Sequence, residues 1–395
     1  MTRGKAAEAR RTARGDVEAV LGDCVEVLAG MPEASFDACV TDPPYGLEFM
    51  GQEWDRFRTD GRGNSGRPPS GMLAYQEWTS RWAFEVLRVL RPGGFLLAFG
   101  GTRTWHRLST GIEEAGFKIR DCMMWLYGTG FPKSLDVSKG FGKRTGEVTA
   151  PSSSLAESFS GYGTNLKPAW EPIVVAMRPT AGTFASNAET HGVSGLNVEG
   201  GRIGREGGRS AIPGTRQASV GATDFPGRAA MVDAGGRFPT NVLLDQDAAR
   251  ILDLEAGGRG AVLRPGTGPS RFFYVAKASP DDRMEGNRHP TVKPADLMRY
   301  LVRLVRPPTI EGRPPPRILD PFAGSGSTLV AALAEGVAAL GIEKDEESFG
   351  TIEERLLRVR LVDRGRPRGE SREGRKVNPG KATTRKTNRA AGPER

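Results

Sequence analysis

The stretch Arg317-Ile318-Leu319-Asp320-Pro321-Phe322-Ala323-Gly324-Ser325-Gly326-Ser327 decides the fold. A short apolar run ends on a carboxylate, and two glycines one residue apart follow. Residues 328–334 then continue as an apolar helical segment, and residues 338–342 form a second apolar run that closes on Glu343. Strand, Gly-x-Gly turn, helix, strand and terminal acid is the order of a nucleotide-binding βαβ unit. Gly324 and Gly326 let a ligand approach the backbone closely, and Glu343 can accept from both hydroxyls of a ribose.

Leu329 stands where the third glycine of a dinucleotide fingerprint would fall, and the chain has no Gly-Lys-Ser/Thr triplet. A phosphate cradle is therefore not indicated. A tight turn in an ordinary α/β sheet is one reading of the stretch. A site for a nucleoside without phosphates is the other, and S-adenosylmethionine is such a ligand.

Working outward, strands and helices alternate. Residues 36–40 form an apolar run. Ala83, Val86, Leu87 and Leu90 recur at helical spacing, and Arg91-Pro92-Gly93-Gly94 punctuates that helix. Residues 95–99 read as a strand buried on both faces, residues 102–115 as a helix, and residues 118–127 as another strand. Leu297, Tyr300, Leu301 and Leu304 mark a later helix; Phe349, Ile352, Leu356 and Val359 mark the last one. This alternation predicts an α/β fold with a doubly wound, mainly parallel sheet. Residues 128–265 differ in texture, being dense in Gly, Ser, Thr and Arg, with runs at 170–177 and 241–244 as their strand-like segments. They read as an insertion.

The 395 residues, 37% hydrophobic and 26% charged, can bury a sizeable core. No apolar run reaches the roughly 20 residues that span a bilayer, and the basic N-terminus lacks the apolar centre of a secretory signal. Cys24, Cys39 and Cys122 are far apart, as are His106, His191 and His289, so reduced thiols, a cytoplasmic protein and no metal site are expected. The net charge is +9, and residues 364–395 carry eleven Lys/Arg against three Glu, which is +8 of it. That tail has almost no large apolar residue and reads as disordered, serving either solubility or salt-sensitive phosphate binding.

The second chemistry-bearing stretch is Thr41-Asp42-Pro43-Pro44-Tyr45-Gly46, directly after the run at 36–40. Two prolines fix φ and remove backbone donors, leaving carbonyls free to accept. A flat amine there meets Asp42 and the Pro43 carbonyl as acceptors and the Tyr45 ring as a stacking surface. The third is His289-Pro290-Thr291-Val292-Lys293-Pro294 before a helix: Lys293 can meet a ligand carboxylate, and Thr291 can cap the helix or contact the ligand.

With Gly22-Asp23-Cys24, residues 88–94 and Gly128-Thr129-Gly130-Phe131-Pro132-Lys133-Ser134, these blocks in this order resemble the beta class of amino-methylating DNA methyltransferases. That group comprises N6-adenine and N4-cytosine enzymes. The resemblance covers residues 16–360 apart from the insertion. It implies a circularly permuted, Rossmann-like S-adenosylmethionine-dependent methyltransferase fold. Its parts would be a flexible arm at 1–15, a catalytic half at 16–127, a target-recognition region at 128–265, a cofactor half at 266–362 and a tail at 363–395.

Carried over residue by residue, the resemblance implies that Asp320, Phe322, Gly324 and Gly326 line the methionine part of S-adenosylmethionine. Lys293 and Thr291 would stand near its carboxylate, Glu343 would hold the ribose, and Asp23 the adenine amine. Asp42, Pro43, Pro44 and Tyr45 would form the catalytic pocket. Double-stranded DNA is the implied partner; a homodimer and a cognate restriction endonuclease stay open, as does a catalytically inactive DNA-binding relative. C5-cytosine methylation is set aside because the chain has no Pro-Cys pair. Glutamine and ribosomal RNA methylation belong with Asn-Pro-Pro-Tyr at this place. Asp42 favours adenine, because Ser is more frequent at that position in N4-cytosine enzymes.

Overall fold

The computed structural model describes residues 10–47, 71–128, 130, 134–145, 154–203, 236–256, 268–277 and 292–358. The strands are β1 (Arg11–Arg14), β2 (Val17–Leu21), β3 (Phe36–Thr41), β4 (Leu90–Phe99), β5 (Lys118–Leu126), β6 (Trp170–Met177), β7 (Val242–Asp245), β8 (Tyr274–Ala276), β9 (Arg317–Asp320) and β10 (Ala338–Glu343). The helices are α1 (Cys24–Ala29), α2 (Gly71–Val89), α3 (Trp105–Glu114), α4 (Val137–Thr145), α5 (Ser154–Ser158), α6 (Phe184–His191), α7 (Gln246–Ala256), α8 (Ala295–Val305), α9 (Ser327–Glu335) and α10 (Glu346–Arg358).

The described strands form one sheet in the order β1-β2-β10-β9-β3-β4-β6-β5-β7-β8. Pairing is parallel from β2 through β10, β9 and β3 to β4, antiparallel on both sides of β6, and parallel again from β5 to β8. Successive strand residues point to opposite faces, and both faces are covered. Ala38, Val40, Leu97 and Phe99 face a core with α8, α9 and α10. Cys39, Leu96 and Ala98 face a second core with α1, α2 and α3. The sheet is therefore doubly wound, and β3, buried along its whole length, is one of its central strands.

From β9 the chain passes through α9 to β10 on one side, whereas β3 leads through α2 to β4 on the other. Because β9 and β3 are neighbours, the strand order reverses between them. In open α/β sheets, ligands bind in the crevice outside the carboxyl ends of the strands at such a reversal. The Asp320 turn and the Asp42 motif both leave from that crevice.

Two sequence boundaries change. The inserted region expected over 128–265 contains β6, which lies between β4 and β5 and is hydrogen-bonded to both. Its residues Ile173, Val174, Val175, Ala176 and Met177 are all buried. It also contains β7, parallel to β5. An antiparallel strand supplied from far along the chain is fixed by the two edges it joins, and no local periodicity reports those edges. Within the flexible arm expected over 1–15, residues 11–14 form β1, which pairs with β2, and Arg14 donates to the Leu356 and Leu357 carbonyls at the end of α10. A cation there satisfies the orphan carbonyls of a helix terminus. The tail at 363–395 lies outside the described residues. Among the described residues no helix is long and apolar enough to cross a membrane.

Candidate active site

The strands around the crevice each deliver a polar group to it. The turn after β9 is built on Gly324 and Gly326, whose φ angles of 52° and 81° lie in the left-handed region. A side chain at 326 would also press on Ile352. The Arg355 guanidinium, buried beneath the turn, donates to the Ser325 carbonyl at 2.7 Å and to the hydroxyls of Ser325 and Ser327 at 3.0 and 3.1 Å. The sequence reading missed this brace, because an arginine in the last turn of an amphipathic helix looks like a solvated charge.

Asp320, at the end of β9, accepts from the Thr41 hydroxyl at 2.7 Å and from the Phe322 amide at 3.1 Å. Burial is the largest influence on its carboxyl and pushes the pKa up to about 6. Glu343, at the end of β10, accepts from Gly324 N at 2.6 Å with one oxygen and from Lys344 N and Asp345 N at 2.9 and 2.8 Å with the other. Burial again dominates and raises its pKa to about 7. Both acids are thus poised to ionise near neutrality. A ligand presenting hydroxyls or positive charge would favour their charged forms.

Asp23 follows β2. One of its oxygens caps α1 through Val25 N at 3.0 Å, and the other meets Lys344 at 3.2 Å. Phe322 turns toward the helix side, with its ring 5.3 Å from Trp82 and 5.4 Å from Trp78. Thr291 lies outside the described residues.

Asp42, Pro43, Pro44 and Tyr45 follow β3. The Tyr75 hydroxyl donates to the Pro44 carbonyl at 3.0 Å and holds the turn from below. Both oxygens of Asp42 are engaged: Tyr45 donates to Oδ1 at 2.8 Å, and the Lys293 ammonium lies 2.6 Å from Oδ2. Lys293, expected near a ligand carboxylate, contacts the protein's own Asp42 carboxylate in this structure. Its side chain is 6% exposed and sits over the Phe99 and Tyr45 rings, 4.8 and 5.5 Å from their centroids. Burial works against its charge, but Asp42 and then Glu171 outweigh burial and raise its pKa. The Tyr45 phenol is pushed well above its usual range, first by burial and then by Asp42 and Glu171, so it remains a donor.

Glu171, from β6, is the other residue that sequence reasoning missed. Its Oε2 lies 3.3 Å from the Lys293 ammonium and 3.3 Å from the Tyr45 hydroxyl. Trp170-Glu171-Pro172 reads in sequence as the start of a strand, and only the pairing of β6 with β4 carries its acid to the pocket. Among the described residues no group of three or more His, Cys, Asp or Glu is arranged to hold a metal ion.

The arrangement is a pair of adjoining sites. One is an acid-rich crevice at the ends of β2, β10 and β9, suited to a ligand rich in donors and positive charge. The other is the cluster at the end of β3, where the Asp42 carboxylate is held by Tyr45 and Lys293 beside the Phe99 ring.

A family model described as DNA methylase, of the N6/N4 type, matches residues 36–354 of this chain. The type II methyltransferase M.HindIII of Haemophilus influenzae is 24% identical over 361 residues, spanning 85% of this chain and 93% of the relative. Among solved structures, the cytosine-N4-specific PvuII DNA methyltransferase aligns with a TM-score of 0.46 and 14% identity, covering 87% of this chain and 91% of its own. The TTHA0409 protein of Thermus thermophilus, solved with S-adenosyl-L-methionine, aligns with a TM-score of 0.40 and 19% identity over 86% of this chain and 92% of that one.

Proposed function

This chain belongs to the N6/N4 DNA methylase family, and on that premise we propose that it transfers the methyl group of S-adenosylmethionine to N6 of an adenine flipped out of double-stranded DNA. The observation that carries the proposal is the Asp42 carboxylate at the end of β3, one strand away from the Asp320 turn at the end of β9. Two ligands bound in these adjoining sites would meet at the reversal of strand order.

The residues of the crevice fit the cofactor by their chemistry. Its ribose hydroxyls, adenine amine, ammonium and sulfonium are all donors or positive, and Glu343, Asp23 and Asp320 are all acceptors. Glu343 would hold the ribose, Asp23 the adenine amine, and Asp320 the amino-acid end, with Gly324 and Gly326 allowing close approach. When bound, the sulfonium supplies an electrophilic methyl group with neutral S-adenosylhomocysteine as its leaving group, and the amine nitrogen releases one proton in exchange.

The pocket residues treat the target base. An exocyclic amine is a weak nucleophile because its lone pair is delocalised into the ring. Asp42 and the Pro43 carbonyl accept its two N–H groups, letting the nitrogen become more tetrahedral, and the Asp42 charge supports the positive charge that develops on it. Extrusion of the base costs a few kcal/mol, and stacking on Tyr45, worth about 1–3 kcal/mol per base, offsets part of that. The segments of 128–265 outside the sheet would read the surrounding sequence.

A carboxylate rather than a hydroxyl at position 42 supports adenine over cytosine. Mass spectrometry of nucleosides from DNA of expressing cells tests this directly. N6-methyladenine is expected. N4-methylcytosine would overturn the choice of base, and the absence of both would overturn the activity.

A further inference from the structure

Both groups that occupy Asp42 have a second acceptor in common. Lys293 lies 2.6 Å from Asp42 Oδ2 and 3.3 Å from Glu171 Oε2. Tyr45 lies 2.8 Å from Asp42 Oδ1 and 3.3 Å from the same Glu171 oxygen. A carboxylate neutralised by a buried ammonium and capped by a phenol is a poor acceptor for a further amine. It also supports a nascent positive charge weakly, because the Lys–Asp pair carries no net charge. Glu171 remedies both defects. It offers the ammonium and the hydroxyl another partner within reach of a small shift, and it leaves the cluster of one cation and two carboxylates net negative.

We propose that Glu171 is a positioning residue of the base pocket, drawing Lys293 and Tyr45 away from Asp42 when the target amine arrives. This rests on the amine-methylation reading above. Asp42 follows β3 and Glu171 is the second residue of β6, so the exchange needs no movement of the sheet. The ammonium, seated over Phe99 and Tyr45, has only to tip between two oxygens. Lys293 would thus act as a placeholder for the base amine, balancing the charge of the half-buried Asp42 carboxylate while no base is bound.

Single-turnover methyl transfer to DNA tests this, with cofactor affinity measured alongside by calorimetry. Glu171→Gln should slow transfer roughly 10- to 100-fold and leave cofactor affinity within about two-fold, which also shows that the variant is folded. Glu171→Asp should recover part of the rate. In a Lys293→Met background, Glu171→Gln should cost clearly less than in the wild type, since the ammonium has gone and only Tyr45 is left for Glu171 to draw away. A wild-type rate in Glu171→Gln, or the same loss with and without Lys293, would overturn the proposal while leaving the methylation reading intact. A wild-type protein that transfers no methyl group to any DNA would overturn that reading and this proposal with it.

Discussion

The Thr41 hydroxyl donates to Asp320 Oδ1 across 2.7 Å, a bond between residues 279 positions apart. They are the last residues of β3 and β9, the two strands from which the chain departs in opposite directions. The bond ties the base of the Asp42 pocket to the base of the cofactor turn, so the spacing of the two sites is set where both begin.

Thr41→Val keeps the shape of the side chain and removes the donor from a carboxylate with almost no exposure to water. It should destabilise the protein by about 1–3 kcal/mol, read as a lower urea midpoint, and weaken cofactor binding. An unchanged midpoint would show that the bond contributes nothing net.

Asp42→Ala should reduce methyl transfer at least about 100-fold, the scale found when one preorganised electrostatic partner of a reacting group is removed. Cofactor affinity, measured by calorimetry, should stay within a few-fold, because the Asp320 and Glu343 turns are untouched. Retained turnover would remove Asp42 from the mechanism.

Glu343 is raised by burial from an ordinary value of 4.5 to about 7, and Asp320 from 3.8 to about 6. Through that window the folded state holds protons that the unfolded chain has released, so stability falls as pH rises. Glu343→Gln removes its share. Its melting temperature should therefore vary less than the wild type's between about pH 5 and about pH 7. Cofactor binding to the wild type near neutrality should also release protons, because hydroxyls donated to Glu343 favour its ionised form. Calorimetry in two buffers of different ionisation enthalpy would detect this, and Glu343→Gln should abolish most of it.

Deleting residues 364–395 removes +8 of the +9 net charge. If the tail meets phosphates, the slope of log affinity for DNA against log salt should flatten by about 0.9 for each phosphate no longer neutralised, with the methylated sequence unchanged. Equal slopes would leave the tail a solubilising role only.

Much of the molecule was readable in one dimension because its signals are local. The helical stripe through Ala83, Val86 and Leu87 falls within α2, whereas Leu90 and the Arg91-Pro92-Gly93-Gly94 stretch read as its end belong to β4, together with the run at 95–99. Glycines 324 and 326 form the turn read between the two strands, and the structure adds that both adopt a left-handed backbone. What failed was membership of the sheet for distant segments. Residues 170–177 were visible as a strand, yet their place between β4 and β5 depends on edges that lie about 50 and 75 residues earlier in the chain. Arg355 and Glu171 were missed for the same reason: each acts on a partner brought to it by packing.

By itself the amino-acid sequence determined the alternating α/β architecture, the glycine turn with its acid, and the rigid Asp42–Tyr45 motif. Periodicity, φ restriction and residue chemistry are properties of neighbours in the chain. Only the tertiary structure decided that β3 and β9 lie side by side, that Lys293 rests on Asp42, and that a glutamate from β6 completes the pocket. Those are contacts across more than a hundred residues, selected by which faces the sheet and helices must bury together.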